Sequence, residues 1–261
     1  IAKNVDAATI NKPPLYLSSN NGLVGYWTMD GSKVNWATGA VTDSSGRGNT
    51  GTIVNMATST GVAIGKLGQG LSFDGVNDYV SVPDNNSLDL SSALTISAWV
   101  YYKGSTLNMI ATKYNTVSPT NQRAYSFFID PAGANCTGTA TLCLYLSTNG
   151  TSGTILNAAS DFGAIPTNKW SFVAVTYDGS NVYFYLNGVK SAAKPFTGTL
   201  FNSNQPLTIG ARIDSTQTYY STGYEDDTRI YNRALTANEI KTLYNSGAAK
   251  FNVSPTKYLT D

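Results

Sequence analysis

Two patterned stretches, Lys169-Trp-Ser-Phe-Val-Ala-Val-Thr-Tyr177 and Val182-Tyr-Phe-Tyr-Leu-Asn-Gly-Val189, flank Asp178-Gly179-Ser180-Asn181. β-branched and aromatic residues crowd both arms, and the Asp-Gly between them is a strong hairpin signal. In the first arm Trp170, Phe172 and Ala174 share one face, while Val173, Val175 and Tyr177 share the other. A strand apolar on both faces needs cover on both sides, so it belongs inside a layered sandwich. In the second arm Val182, Phe184 and Leu186 alternate with Tyr183 and Tyr185, whose hydroxyls can reach water or a ligand.

The same short-strand grammar recurs along the chain. Turn residues separate Gly22–Asp30, Gly70–Phe73, Asp78–Val82, Leu94–Tyr101, Ala124–Ile129, Leu142–Leu146, Pro206–Gly210 and Asp227–Tyr231, each of which reads as a strand. Within 261 residues this predicts one all-β domain over 22–247. Residues 1–21, which include Pro13-Pro14, read as an arm or linker, and 248–261 as a second linker. Pro13, Tyr16 and Leu17 align with Pro255, Tyr258 and Leu259 at a constant offset, so the tail is expected either to lead into a further repeat or to be an unrelated extension. One helix is predicted. Thr236-Ala-Asn-Glu239 is a capping box, Ile240, Leu243 and Tyr244 form its buried stripe, and Gly247 is expected to supply a left-handed stop.

Absences narrow the chemistry. The chain has no histidine, and its only glutamates are Glu225 and Glu239. Ser-His-Asp and Cys-His catalysis and His-ligated metals are therefore excluded, and paired-carboxylate hydrolysis would have to rely on Asp. Net charge is +1 with 13% charged residues, which gives no basic stripe for nucleic acid and no cationic helix for a membrane surface. No apolar run is long enough to insert in a bilayer. Cys136 and Cys143, seven positions apart, suit a bridge closing a Gly/Thr loop, and a bridge points to an oxidising compartment. The alternative is two unrelated thiols.

Four blocks carry a resemblance to a known family. They are Gly22-Leu-Val-Gly-Tyr-Trp-Thr-Met-Asp30, Leu71-Ser-Phe-Asp-Gly-Val-Asn-Asp-Tyr-Val80, Leu94-Thr-Ile-Ser-Ala-Trp-Val100 with Trp170–Val189, and Arg229-Ile-Tyr-Asn-Arg-Ala-Leu-Thr-Ala-Asn-Glu239. In order and spacing they resemble the bacterial-type laminin-G-like modules of the concanavalin A-like lectin/glucanase superfamily. The resemblance implies a two-sheet antiparallel jelly-roll sandwich with one short C-terminal helix, usually non-catalytic, extracellular and used in adhesion, glycan binding or surface architecture. It also implies a structural calcium, with Asp30, Asp43, Asn49 and Asp226 at the matching positions, stapling the first loop to the last strand. The alternative is that Asp30 and Asp43 simply start turns, as Asp74 and Asp78 flank Gly75. The chain departs from the family at Glu225 and Thr228, where an aliphatic pair is usual; that strand is expected to be more exposed, or shifted in register.

Three functions remain. The first is a non-catalytic surface module with an architectural or adhesive role, partnered by neighbouring copies or modules. The second is a calcium-dependent carbohydrate-binding module, with Tyr219, Tyr220 and Tyr224 as the favoured aromatic platform for glycans. The weakest is an Asp-based glycan-active enzyme.

Overall fold

The computed structural model describes residues 20–248 except 105–106, 117–120, 134–135, 137, 139 and 215–217. The two linkers, their internal match and the loop residues just named lie outside the described residues.

Two antiparallel sheets of nine strands each form the body. The first runs Val189–Lys190, Asn181–Leu186, Trp170–Tyr177, Leu94–Tyr102, Thr222–Tyr231, Gln69–Asp74 and Val62–Ile64. Leu23–Trp27 pairs with Thr222–Tyr231, and Lys194–Pro195 pairs with Asn181–Leu186. The second runs Thr154–Asn157, Thr141–Leu146, Tyr125–Asp130, Asn108–Lys113, Leu207–Ile209, Tyr79–Val82, Gly51–Val54, Ala40–Val41 and Val34–Asn35. This is the expected sandwich.

The core lies between inward-facing alternate residues. Ile96, Ala98, Val100, Val173, Val175 and Phe184 of the first sheet meet Val80, Val82, Phe127, Leu144 and Ile209 of the second. The opening hairpin forms as read, with Tyr177 opposite Val182. Asp178 Oδ1 accepts the amides of Ser180 and Asn181 and so closes the turn. Trp27 is fully buried, and its indole N–H donates to the Asn49 carbonyl at 2.9 Å.

The far face of the first sheet is covered by a helix, Ala237–Ala248, which lays Ile240 and Leu243 on Trp99, Phe172 and Ala174. The capping box forms: Thr236 N–H donates to Glu239 Oε2 at 2.8 Å, and Glu239 N–H donates to the Thr236 hydroxyl at 3.3 Å. Gly247 corrects the expectation of a left-handed stop. It lies within the helix, and a Cβ there would meet the Trp99 indole nitrogen at 2.4 Å. Its smallness lets the helix sit down on Trp99. Trp170 is only half-buried and packs at the margin of this second core instead of filling it.

Glu225 and Thr228 also correct an expectation. Both are buried in a central strand, and Thr228 Oγ1 donates to Glu225 Oε1 at 2.6 Å. The register does shift, by a bulge between Asp226 and Arg229 with Asp227 at φ 59°. The two polar side chains satisfy one another where an aliphatic pair would pack.

Candidate functional site

The outer face of the second sheet owes its character to strand alternation. While Val80, Val82, Leu207 and Ile209 point inward, Tyr79, Ser81 and Thr208 point outward. A two-stranded ribbon, Ala211–Arg212 paired with Tyr219–Tyr220, folds back over this face. Gly210, at φ 82°, makes the reversal; a Cβ there would strike the Phe73 ring at 2.2 Å. Ser221 pins the ribbon down, its hydroxyl accepting from Met109 N–H at 2.7 Å and donating to Met109 C=O at 3.1 Å. Asp214, buried, accepts the amide and hydroxyl of Thr116 and joins the two neighbouring loops.

These elements leave a hollow of about 160 Å³, lined by Tyr79, Ser81, Tyr114, Asn115, Gln205, Pro206, Thr208 and Ile213. Sites that enclose a drug-sized molecule run to roughly 300–1,000 Å³, so this one admits a face or an edge of a ligand. Tyr220 packs on Tyr79 at the edge, with ring centres 6.3 Å apart. Burial and the neighbouring Tyr220 raise the Tyr79 hydroxyl pKa, so it remains a neutral donor. Asn115 Nδ2 donates to Gln205 Oε1 at 3.0 Å, fixing the amides at the rim. Past Tyr114 the cluster continues: its ring meets Tyr145 edge-on at 4.9 Å, and Arg212 lies 4.9 Å from Tyr114 and 4.3 Å from Tyr219.

The three tyrosines singled out in the sequence therefore separate. Tyr219 and Tyr220 belong to the ribbon over the second sheet, whereas Tyr224 lies on the first. There Trp170, Tyr101 and Tyr224 stand opposite one another on three adjacent strands, with ring centres 5.8 and 5.0 Å apart. Lys103 Nζ sits 4.6 Å from the centre of Tyr224, occupying a ring face. Arg212 does the same to Tyr219. Tyr220 remains, packed on Tyr79 at the edge of a hollow that Gln205 also lines. Tyr79 read only as part of the strand Asp78–Val82, and Gln205 carried no signal at all; both acquire a role only when Leu207–Ile209 is seen to pair with Tyr79–Val82.

The four residues read as calcium ligands also divide. Asp30 and Asp226 converge on the loop Gly65–Gln69. Asp226 Oδ2 accepts Leu67 N–H at 2.8 Å and Asp30 Oδ1 accepts Gln69 N–H at 3.1 Å. Asp226 is fully buried and its Oδ1 has no hydrogen-bond partner. Burial, with the negative charges of Asp227 and Asp30 nearby, pushes its carboxyl pKa up to about 8. A buried carboxylate oxygen with no donor is chemically suited to a hard cation. Asp43 is otherwise engaged: its oxygens accept Tyr26 N–H, Ser45 N–H, the Ser45 hydroxyl and Asn49 N–H at 2.7–3.0 Å. Asn49 Nδ2 donates to Val24 C=O and the Ser87 hydroxyl. Among the described residues no hydrogen bond links Asp43 or Asn49 to Asp30, Asp226 or the loop between those two. The first loop is closed from within by backbone amides on Asp43, while Asn49 Oδ1, like Asp226 Oδ1, is buried without a hydrogen-bond partner.

Cys136 and Cys143 are paired, with Cα atoms 6.5 Å apart. They pack with Met109, Phe128 and Tyr145 on the outer face of the second sheet. Asp130 lies beside them, but with both sulfurs in the disulfide the trio offers no thiolate to a metal.

The laminin G model of the concanavalin A-like lectin/glucanases superfamily matches residues 74–241. The chain belongs to this superfamily. Among solved structures, domain 4 of a GH43 extracellular arabinanase from Geobacillus stearothermophilus, in complex with arabinotriose, is similar at TM-score 0.61 and 21% identity. That match covers 85% of this chain and 98% of the other. The binding domain of Paraclostridial Mosquitocidal Protein 1 is similar at TM-score 0.62 and 18% identity, over 87% of this chain and 53% of that one. The receptor binding domain of a botulinum neurotoxin C/D mosaic serotype gives 0.59 and 16%, over 87% and 52%. The chain thus spans about half the length of these two toxin domains, and at such identities the likeness is one of fold. No curated protein matches it in sequence.

Proposed function

We propose that the protein is a non-catalytic glycan-binding module of an extracellular surface, and that the hollow on the second sheet is its site. One observation carries the reading. The lining combines tyrosine rings with hydroxyls and amides, and the residues that form it include no carboxylate, imidazole, thiol or lysine. Ring faces suit the apolar side of a sugar and the amides suit its hydroxyls, while the pair of carboxyl groups used in most glycoside hydrolysis is missing from this lining. The superfamily and the arabinotriose-bound neighbour support the same class of ligand. The disulfide supports an oxidising compartment. A calcium ion held by Asp226 and Asp30 is the structural part of the proposal: it would neutralise a buried carboxylate oxygen that has no hydrogen-bond partner.

Affinity electrophoresis against neutral and acidic polysaccharides tests the site. Retardation is expected, and Tyr220→Ala and Tyr79→Ala should each weaken it roughly tenfold, about 1.4 kcal/mol, with Tyr224→Ala unchanged. Loss of binding in Tyr224→Ala alone would move the site to the first sheet. Release of reducing sugar from a retarded polymer would refute the non-catalytic reading.

A further inference from the structure

We propose that the glycan taken by this hollow is acidic, its carboxylate read by Arg212 and Arg123; this rests on the glycan-binding reading above. The two guanidinium groups lie 4.9 and 5.7 Å from the centre of one ring, Tyr114, which also lines the hollow. Neither forms an ion pair among the described residues. Elsewhere four partly or fully buried cations are compensated by carboxylates, whereas Lys66 lies over the Trp99 ring. Lys113 has Asp84 and Asp89, Lys194 has Asp161, Arg229 has Asp227, and Arg233 has Glu239.

The surrounding chain offers no substitute. Residues 107–123, 145–153 and 201–220 contain a single acidic residue, Asp214, and Thr116 occupies it. Arg123 spends one Nη on the Thr151 carbonyl, and its guanidinium also reaches the Tyr145 hydroxyl. The Nε of Arg123 and that of Arg212 are both buried without an acceptor. Two like charges beside one ring, with donors unspent, form a poor arrangement in isolation and a good one around an anion. Cation–π contact with tyrosine restrains each guanidinium, so less freedom is lost when a carboxylate arrives. A sulfate ester would supply the same charge but not the planar two-oxygen edge. Ligand polarity would then run along the face, with a sugar ring at Tyr79 and Tyr220 and its acid beyond Tyr114.

The central comparison is polygalacturonate with its methyl ester, which differ chiefly in charge. Polygalacturonate, hyaluronan and alginate are titrated calorimetrically, beside fully methyl-esterified polygalacturonan and poly-L-glutamate. At least one acidic polysaccharide should bind at least tenfold more tightly than the ester, and high salt should erase most of that difference. Arg212→Gln and Arg123→Gln, each with an unchanged unfolding midpoint, should lower acidic-polymer affinity about tenfold and leave the ester unaffected. Tyr220→Ala should weaken both. Equal binding of acid and ester, or Arg variants that bind as the parent does, would overturn the acidic reading while leaving the glycan site standing. Equally tight binding of poly-L-glutamate would overturn it as well, by showing charge without sugar recognition. If no polysaccharide of either kind binds, the glycan reading falls and takes this one with it.

Discussion

Lys113 ends the strand Asn108–Lys113 with its side chain fully buried, an uncommon place for an ammonium group. Its three N–H donors have three acceptors: Asp84 Oδ1 at 2.6 Å, Asp89 Oδ1 at 2.8 Å, and the Ser203 carbonyl. Those partners come from two separate loops, so one cation ties together the 84–89 segment and the loop that carries Gln205. Lys113→Met keeps much of the volume but leaves two carboxylates facing each other across an empty donor position. Breaking a buried pair costs roughly 3–5 kcal/mol. Asp84 is 34% exposed and Asp89 15%, so water can recover part of the loss and the lower end applies, about 3 kcal/mol. Urea denaturation at pH 7 should show the midpoint falling with the slope unchanged, and the melting temperature should drop by roughly 6–12 °C for a domain of this size. The decisive comparison is the triple variant Lys113→Met/Asp84→Asn/Asp89→Asn. Without stranded charges it should recover most of the loss. A single variant costing under about 1 kcal/mol, or a triple variant no better than the single, would refute the argument from stranded charge.

Other consequences follow from burial and titration. With its carboxyl raised from 3.8 to about 8, Asp226 holds its proton more tightly when folded, so its contribution is full below pH 4 and is lost as pH rises through 8. The span is roughly four pH units at 1.36 kcal/mol each, at most on the order of 5 kcal/mol. In EDTA, Asp226→Asn should therefore lose part of the parent's decline in stability between pH 5 and 9. Glu225 is raised in the same direction by burial and sustains the rest. Calcium should stabilise the parent most above pH 8 and leave Asp226→Asn unmoved; equal calcium shifts in both would remove this residue from the proposed site. Glu239 is held down at about 2, first by its hydrogen bonds with Arg233 and then by the Thr236 amide. Glu239→Gln should thus cost about 1 kcal/mol at pH 7, a difference that disappears as pH falls through 4.5 towards 2. Trp27→Ala should cost roughly 3–5 kcal/mol and half-buried Trp170→Ala only about 1–2, as read by chemical denaturation.

Much of the fold was legible because strand alternation and capping are local. Trp170–Tyr177, Asn181–Leu186, Leu94–Tyr102, Thr141–Leu146 and the helix start at Thr236 all stand where the residue pattern places them. The pattern missed Asn108–Lys113, which ends in a lysine, and the first half of Thr222–Tyr231, which reads Thr-Gly-Tyr-Glu-Asp. Both are strands because partners far along the chain bury their polar groups, and no local window contains those partners. Tyr224 looked like a companion of Tyr219 and Tyr220 for a related reason. Tyr224 follows them by only five and four positions, yet the chain crosses from the ribbon over the second sheet to the first sheet between them.

The sequence by itself determined the layered β architecture, the family and the lack of imidazole chemistry, since these depend on composition and on neighbours within a few residues. Only the tertiary structure decided which tyrosines share a surface, that Asp226 keeps an unpaired oxygen beside Asp30, and that Arg212 and Arg123 meet at Tyr114 without an acid. Those facts arise from pairings between segments tens to hundreds of positions apart, where burial and charge compensation are set by whatever the sheets bring opposite.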